Sequence, residues 1–292
     1  TGNLPEVFRV TGLQAADRTA WLLEQGGAAR VIAEIEQIHS DLVARLYTRE
    51  LARLAPLDEA ELGELLDILR AGLGSDLEMR LALQALMEHQ HLSERNWETL
   101  IGAVRTIGSD LEQRLALTQA AEGMPIDEAL VAAYLTVIRD IGSDLEARLA
   151  LTAIAGHLSV ADQAQLAEVI RGTVDIGSDL EQRLALQALA PSISSREAFD
   201  ALLGAAAHIG SDLELRLALS EVVGHEPPAA WIPGLVELAA DDIGSDLELR
   251  LLLKRVLDRY PDDRAVRNSV KEAAEQIGSA FERNQLLGRL LD

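Results

Sequence analysis

Gly108-Ser109-Asp110-Leu111-Glu112-Gln113-Arg114-Leu115 is one of six copies of the string Gly-Ser-Asp-Leu-Glu-x-Arg-Leu, and its reading decides the fold. The other copies begin at Gly74, Gly142, Gly177, Gly210 and Gly244. Weaker copies flank the set: His39-Ser40-Asp41-Leu42 before it and Gly278-Ser279-Ala280-Phe281-Glu282 after it. Successive copies lie 35, 34, 34, 35, 33, 34 and 34 residues apart. A fixed period in this range marks a solenoid of stacked supersecondary units.

The residues around Gly108 show what one unit is. Ser93 caps a helix predicted from Glu94 to about Ile107, with Trp97, Leu100, Ile101, Val104 and Ile107 at the i, i+3, i+4, i+7 spacing of a buried face. Gly108 follows, where a left-handed glycine would end the helix. Ser109 and Glu112 then have the spacing of a capping box, in which the serine accepts from the third helical N–H and the glutamate reaches back. Asp110 adds negative charge where the helix dipole favours it. A second helix is predicted from about Asp110 to Ala121, with Gly123 as its stop. The same corner and cap are assigned to Gly74, Ser75 and Glu78; Gly142, Ser143 and Glu146; Gly177, Ser178 and Glu181; Gly210, Ser211 and Glu214; and Gly244, Ser245 and Glu248.

Each repeat is thus an A helix, a tight corner, a B helix and a loose polar connector. Asp58 with Glu61, Ser159 with Asp162, and Ser194 with Glu197 are start signals in the connectors, and Pro125, Pro228 and Pro233 suit first helical turns. A tetratricopeptide assignment fails, because the glycine lies at the corner and not within helix A. The expected fold is an all-α, HEAT-like α-solenoid of about eight 34-residue helix pairs over residues 28–292, with corners near 39, 74, 108, 142, 177, 210, 244 and 278. Residues 1–27 are expected to form an N-terminal helical cap, with Trp21, Leu22 and Leu23 facing the first repeat.

Counting the capping serine as zero, position +1 is Asp41, Asp76, Asp110, Asp144, Asp179, Asp212 and Asp246. Position +5 is Arg45, Arg80, Arg114, Arg148, Arg183, Arg216 and Arg250. Acid and base four residues apart can meet on a helix surface. An exposed pair contributes only about 0.3–0.5 kcal/mol, too little to explain a row of seven. Positions +1, +5, +8 and +12 fall in one band, and +8 and +12 are mostly apolar. The ladder is therefore expected to be partly buried, with the solvent face near +3 and +10 and the leucine at +2 in the core. The alternative is that the arginines line a groove for carboxylates or phosphates. Recognition is expected where repeats differ: the A helices, the connectors and positions +3, +4, +9 and +10.

Composition narrows the function classes. Apolar residues make up 48% and aromatics 3%, so the core is aliphatic. With 26 basic and 48 acidic residues the net charge is −22, unsuited to the phosphate contacts of nucleic-acid binding or to an anionic membrane. A large like charge also keeps a long rod soluble. The absence of cysteine removes disulfides and thiolate metal sites and leaves the compartment open. No apolar run is long enough to insert in a membrane. The chain begins with Thr1, as expected of a processed or excised piece, and arginine outnumbers lysine 24 to 2, which suits a natural chain more than an idealised design.

No catalytic constellation emerges. His89-Gln90-His91 has metal-ligand spacing but no third ligand, and His39, His157, His208 and His225 stand apart. There is no G-x-S-x-G elbow, H-E-x-x-H set or phosphate-cradling glycine loop. No enzyme activity, cofactor or metal is expected.

The corner resembles a bacterial tandem repeat written roughly I-x-S-D-Y-E-x-x-x-x-L, with leucine here in place of the tyrosine. The likeness extends to Gly26–Ile35, Ile38-His39-Ser40-Asp41 and Leu46-Tyr47, and covers most of the chain from about Leu4. Some relatives carry such repeats behind membrane-bound zinc metallopeptidase domains of the antibiotic-sensor type. The resemblance implies an α-solenoid accessory region without activity of its own. The expected function is a non-catalytic protein-interaction scaffold within a larger bacterial protein, binding a protein or peptide. Three alternatives stand beside it: a structural spacer, a self-assembling element that forms homo-oligomers, and an engineered repeat scaffold.

Overall fold

Each corner starts a helix one residue after its serine. In the computed structural model, which describes residues 4–291, Ser75, Ser109, Ser178, Ser211 and Ser245 sit at N-cap positions in extended backbone. Each side chain accepts from the third helical N–H at 3.4 to 3.5 Å, a long bond.

The chain divides into two compact units, Thr1–Ile154 and Ala155–Asp292. The first holds α1 (Leu4–Thr11), α2 (Ala15–Ile35), α3 (Asp41–Leu54), α4 (Glu59–Gly72), α5 (Asp76–His89), α6 (Glu94–Val104), α7 (Asp110–Gly123) and α8 (Glu128–Ile138). Helix α9 (Asp144–Ala155) closes it. The second holds α10 (Gln163–Gly172), α11 (Asp179–Leu189), α12 (Arg196–Ala206), α13 (Asp212–Gly224), α14 (Ile232–Asp242), α15 (Asp246–Arg259), α16 (Arg264–Ala273) and α17 (Ala280–Leu291). Among the described residues there is no β-strand.

Packing follows the repeat. In the first unit the B helices α3, α5 and α7 stack in order, and the A helices α2, α4, α6 and α8 form a second layer. The second unit repeats the scheme, with α11, α13, α15 and α17 in one layer and α10 on α12 and α14 on α16 in the other. Each unit is an α-solenoid, as the period predicts.

The core lies between the layers. In α7 it takes Gln113, Ala116, Leu117 and Ala120, which are positions +4, +7, +8 and +11. The corresponding α5 residues, Met79, Ala82, Leu83 and Leu86, are also buried. Each fully buried leucine contributes roughly 1.5–3 kcal/mol, so this face supplies most of the stacking energy.

The expectations for the corner glycines and for Trp21 are corrected. The corner glycines are not left-handed: among the described residues the glycines with positive φ are Gly12 and Gly27. Helix α6 instead ends at Val104, and Thr106 and Ile107 donate back to Ala103 and Val104. The left-handed Gly27 (φ 68°) kinks α2 within Ala15–Ile35. Finally, Leu22 is buried, but Trp21 is half exposed, with the Arg18 guanidinium 5.8 Å from its ring centroid.

Candidate functional site

The ladder aspartates and arginines reach forward to the next repeat, although Arg80 and Arg183 also donate to Gln84 and Gln187 in their own helices. Asp76 accepts from the Gly108 backbone N–H at 2.9 Å. Asp41 accepts from Gly74 at 3.1 Å and Ser75 at 2.7 Å. Asp110, Asp179 and Asp212 accept from Gly142, Gly210 and Gly244, each at 3.2 Å. Asp246 takes Gly278 at 2.9 Å and Ser279 at 2.8 Å. The corner glycine therefore presents its N–H to a carboxylate from the preceding B helix. A β-carbon on Gly108 would lie 3.6 Å from an Asp76 oxygen, in ordinary contact.

The arginines take the same direction. Arg45 binds Glu78 at 2.7 Å, Arg80 binds Glu112 at 2.5 Å, Arg114 binds Glu146 at 2.7 Å and Arg216 binds Glu248 at 2.7 Å. Arg183 binds Glu214 and Arg250 binds Glu282. These side chains are only 14 to 20% exposed, so the pairs are better shielded than ordinary surface ion pairs. The expected capping box is half formed, because the corner glutamate is turned toward the arginine. A complete box forms at Asp58 and Glu61. Asp144, Arg148, Gly177 and Glu181 occupy the same positions in their own repeats.

Arg216 also lines an open groove of about 610 Å³ with Ser220, Lys254, Arg255, Asp258 and Arg259. Its cations are engaged: Arg216 by Glu248, Lys254 by Asp258 at 2.7 Å, Arg259 by Glu226, and Arg255 by the Ser220 carbonyl at 2.7 Å. An anion would have to displace these partners.

The expected solvent face is rotated from the observed one. Position +4, expected to be available for recognition, is buried in Met79, Gln113, Ala147, Gln182, Leu215 and Leu249. Position +3 carries the half-buried glutamates of the ladder. The leucines at +2, expected in the core, stand at the surface. Leu42, Leu77, Leu111 and Leu145 in the first unit, and Leu180, Leu213 and Leu247 in the second, are each 44 to 48% exposed, and Phe281 is exposed further. One turn on, at +6, stands a half-buried leucine, such as Leu81, Leu115, Leu217 and Leu251. The aspartates and arginines of the ladder lie on one flank of the core and its glutamates on the other, with the leucines at +2 and +6 between them on the face away from the core. In α7 the centre of the buried stripe is nearer +4 and +7 than +5 and +12, which accounts for the rotation.

A second polar cluster had no sequence signal beyond its residue types. Glu34 is buried where α1, α2 and α3 meet. Arg9 grips it at 3.0 and 2.8 Å, and Arg18 adds a bond at 3.0 Å. The Arg9 hydrogen bond, with help from Arg18 and against burial, holds the Glu34 carboxyl below its usual range. Burial pushes the neighbouring Tyr47 hydroxyl up. His89 and His91 are exposed, and among the described residues no three metal-ligating side chains converge. Among them also, no helix is long and apolar enough to cross a membrane.

No protein-family model and no curated protein matches the chain. Among solved structures, one described as "Computational Design of Self-Assembling Cyclic Protein Homooligomers" is 14% identical over 94% of this chain and 92% of that one. Its TM-score is 0.17, and a likeness that low carries no argument.

Proposed function

We propose that this chain is a non-catalytic protein-interaction scaffold that binds its partner along the leucine rows of its B helices. The exposed leucine at +2, repeated with the half-buried leucine at +6, carries the reading. Neither the helix cap nor the core explains a large apolar side chain at a surface position in every repeat. Aligned apolar rows at the surface of a soluble protein mark contact sites, and solenoids offer extended surfaces of this kind.

The rows also suggest the partner's chemistry. Stacked helices lie about 8–10 Å apart, so neighbouring rows have that spacing. A helix with an apolar residue every seven positions repeats at about 10.5 Å. The net charge of −22 favours a basic partner. The occupant that fits is an amphipathic basic helix with leucine-like side chains at heptad spacing. Such a scaffold suits an accessory region of a larger bacterial protein.

A synthetic lysine-rich helix with heptad leucines tests this against a scrambled peptide of the same composition. Fluorescence anisotropy should show preferential binding, reduced at least tenfold by Leu77→Ser, Leu111→Ser and Leu145→Ser together. Circular dichroism should show an unchanged fold. Equal binding of the two peptides, or an unaffected triple variant, would refute the reading.

A further inference from the structure

The ladder has a direction, and both its ends lie inside this chain. Each interior repeat carries two kinds of group. Aspartate at +1 and arginine at +5 reach forward; the glycine N–H at −1 and the glutamate at +3 receive from behind. The first copy, at Ser40, has the forward pair Asp41 and Arg45 but has Val43 in place of the receiving glutamate, while His39 keeps a backbone N–H at −1. The last copy, at Ser279, keeps the receivers Gly278 and Glu282 but has Ala280 and Asn284 in the forward positions. Forward groups are lost in the last copy alone, and the receiving glutamate in the first alone.

The structure gives each replacement a physical setting. Helix α1 packs on α3, on the side where a preceding B helix would lie. Val43 is buried there: a β-carbon on Gly12 would stand 3.3 Å from one of its methyl groups and 3.2 Å from Leu46. A glutamate at 43 would meet this apolar contact without an arginine. The paired carboxylate at this end is Glu34, held by Arg9 and Arg18. At the other end Glu282 and the Gly278 and Ser279 N–H groups are filled by Arg250 and Asp246. Ala280 and Asn284 are exposed and offer neither a carboxylate nor a cation to a further corner.

We infer that Val43 at one end, and Ala280 and Asn284 at the other, are terminators that prevent one copy of this chain from stacking end to end on another. An open heterologous contact of that kind would propagate into filaments. A second copy placed against α17 would find no forward groups, and its own first corner would present α1 in place of a receiver. This separates binding through the leucine rows from growth at either end of the ladder.

The test keeps the full chain and adds a further copy of residues 259–292 after Asp292. One version retains Ala280 and Asn284 at the junction; the other carries Ala280→Asp and Asn284→Arg there. Amide exchange in the added helices reports whether they dock. The substituted junction should protect them at least tenfold more than the unsubstituted one. Equal protection would overturn the inference, whether both added repeats dock or neither does. It would also fall if the chain, which has no cysteine of its own, formed end-to-end oligomers trapped by single cysteines placed at 284 and at the exposed Val10 of α1 in separate copies. Oligomers that cannot be trapped there but vanish with the leucine-to-serine variant arise from the rows and leave the terminators in place.

Discussion

Arg114 has two carboxylates within reach by sequence, Asp110 one turn back in its own helix and Glu146 in the next repeat. The structure joins it to Glu146 at 2.7 Å and commits Asp110 to the Gly142 N–H at 3.2 Å. Two double-mutant cycles separate these alternatives: Arg114→Met with Glu146→Ala, and Arg114→Met with Asp110→Ala. A charge-assisted hydrogen bond is worth about 1.5–3 kcal/mol when buried, and an exposed pair about 0.2–1 kcal/mol. With Arg114 and Glu146 at 19% and 15% exposure, the cross-repeat coupling should be about 1 kcal/mol. The within-helix coupling should be under about 0.3 kcal/mol, although a surface pair at this spacing ordinarily reaches that value. Urea is the appropriate denaturant, since a salt denaturant screens the interaction being measured. Because a solenoid can unfold in segments, amide exchange in α7 gives the local value beside the global transition. A within-helix coupling equal to or larger than the cross-repeat one would refute the forward-reaching ladder.

Two further outcomes follow from the same geometry. Gly108→Ala should change stability by less than about 0.5 kcal/mol, since φ is not positive and the new methyl only touches the Asp76 carboxylate, whereas Gly27→Ala at φ 68° should cost about 1 kcal/mol or more; thermal unfolding of the two variants compares them. Because the folded Glu34 pKa is depressed, its contribution is complete above the ordinary carboxylate range and is lost as pH falls through the folded value. Acid should therefore release amide protection in α1 before the central helices. Glu34→Gln should produce the same fraying at neutral pH and remove its pH dependence.

The period, the helix-pair unit and the capping serines could be read from the chain because they are local. A serine accepts from a residue three positions ahead, and a helical stripe repeats within a dozen residues. The partners of Asp76 and Arg80 could not be read that way. Gly108 and Glu112 lie 32 residues away, and the i, i+4 spacing offered a nearer partner. The leucine at +2 was misplaced for a related reason. In a B helix with leucine at +2, +6 and +8, hydrophobicity alone does not locate the stripe centre. Stacking on two neighbours of the same kind sets it at +4, +7 and +8, leaving Leu111 outside and Gln113 inside. Gln182 shows what makes a buried amide tolerable there: its nitrogen donates to the Ala205 carbonyl at 3.0 Å.

Stability and register have separate sources in this arrangement. The buried alanines and leucines are nearly the same in every B helix, so the apolar core alone would accept any neighbour, in either order. The ladder does not. Placing α17 before α15 would set Ala280 and Asn284 against a corner whose part-buried glutamate and exposed N–H then lack protein partners, at a cost of up to about 1 kcal/mol for the lost ion pair. The groups are polar, directional and repeated, so they penalise wrong neighbours more than they strengthen right ones, as complementary charges do when they fix register in coiled coils. Exchanging residues 210–243 with residues 244–277 keeps every forward and receiving residue in position, and the chain should still fold. Moving residues 278–292 to an interior position breaks both rungs of one junction, and exchange protection should drop at that junction first.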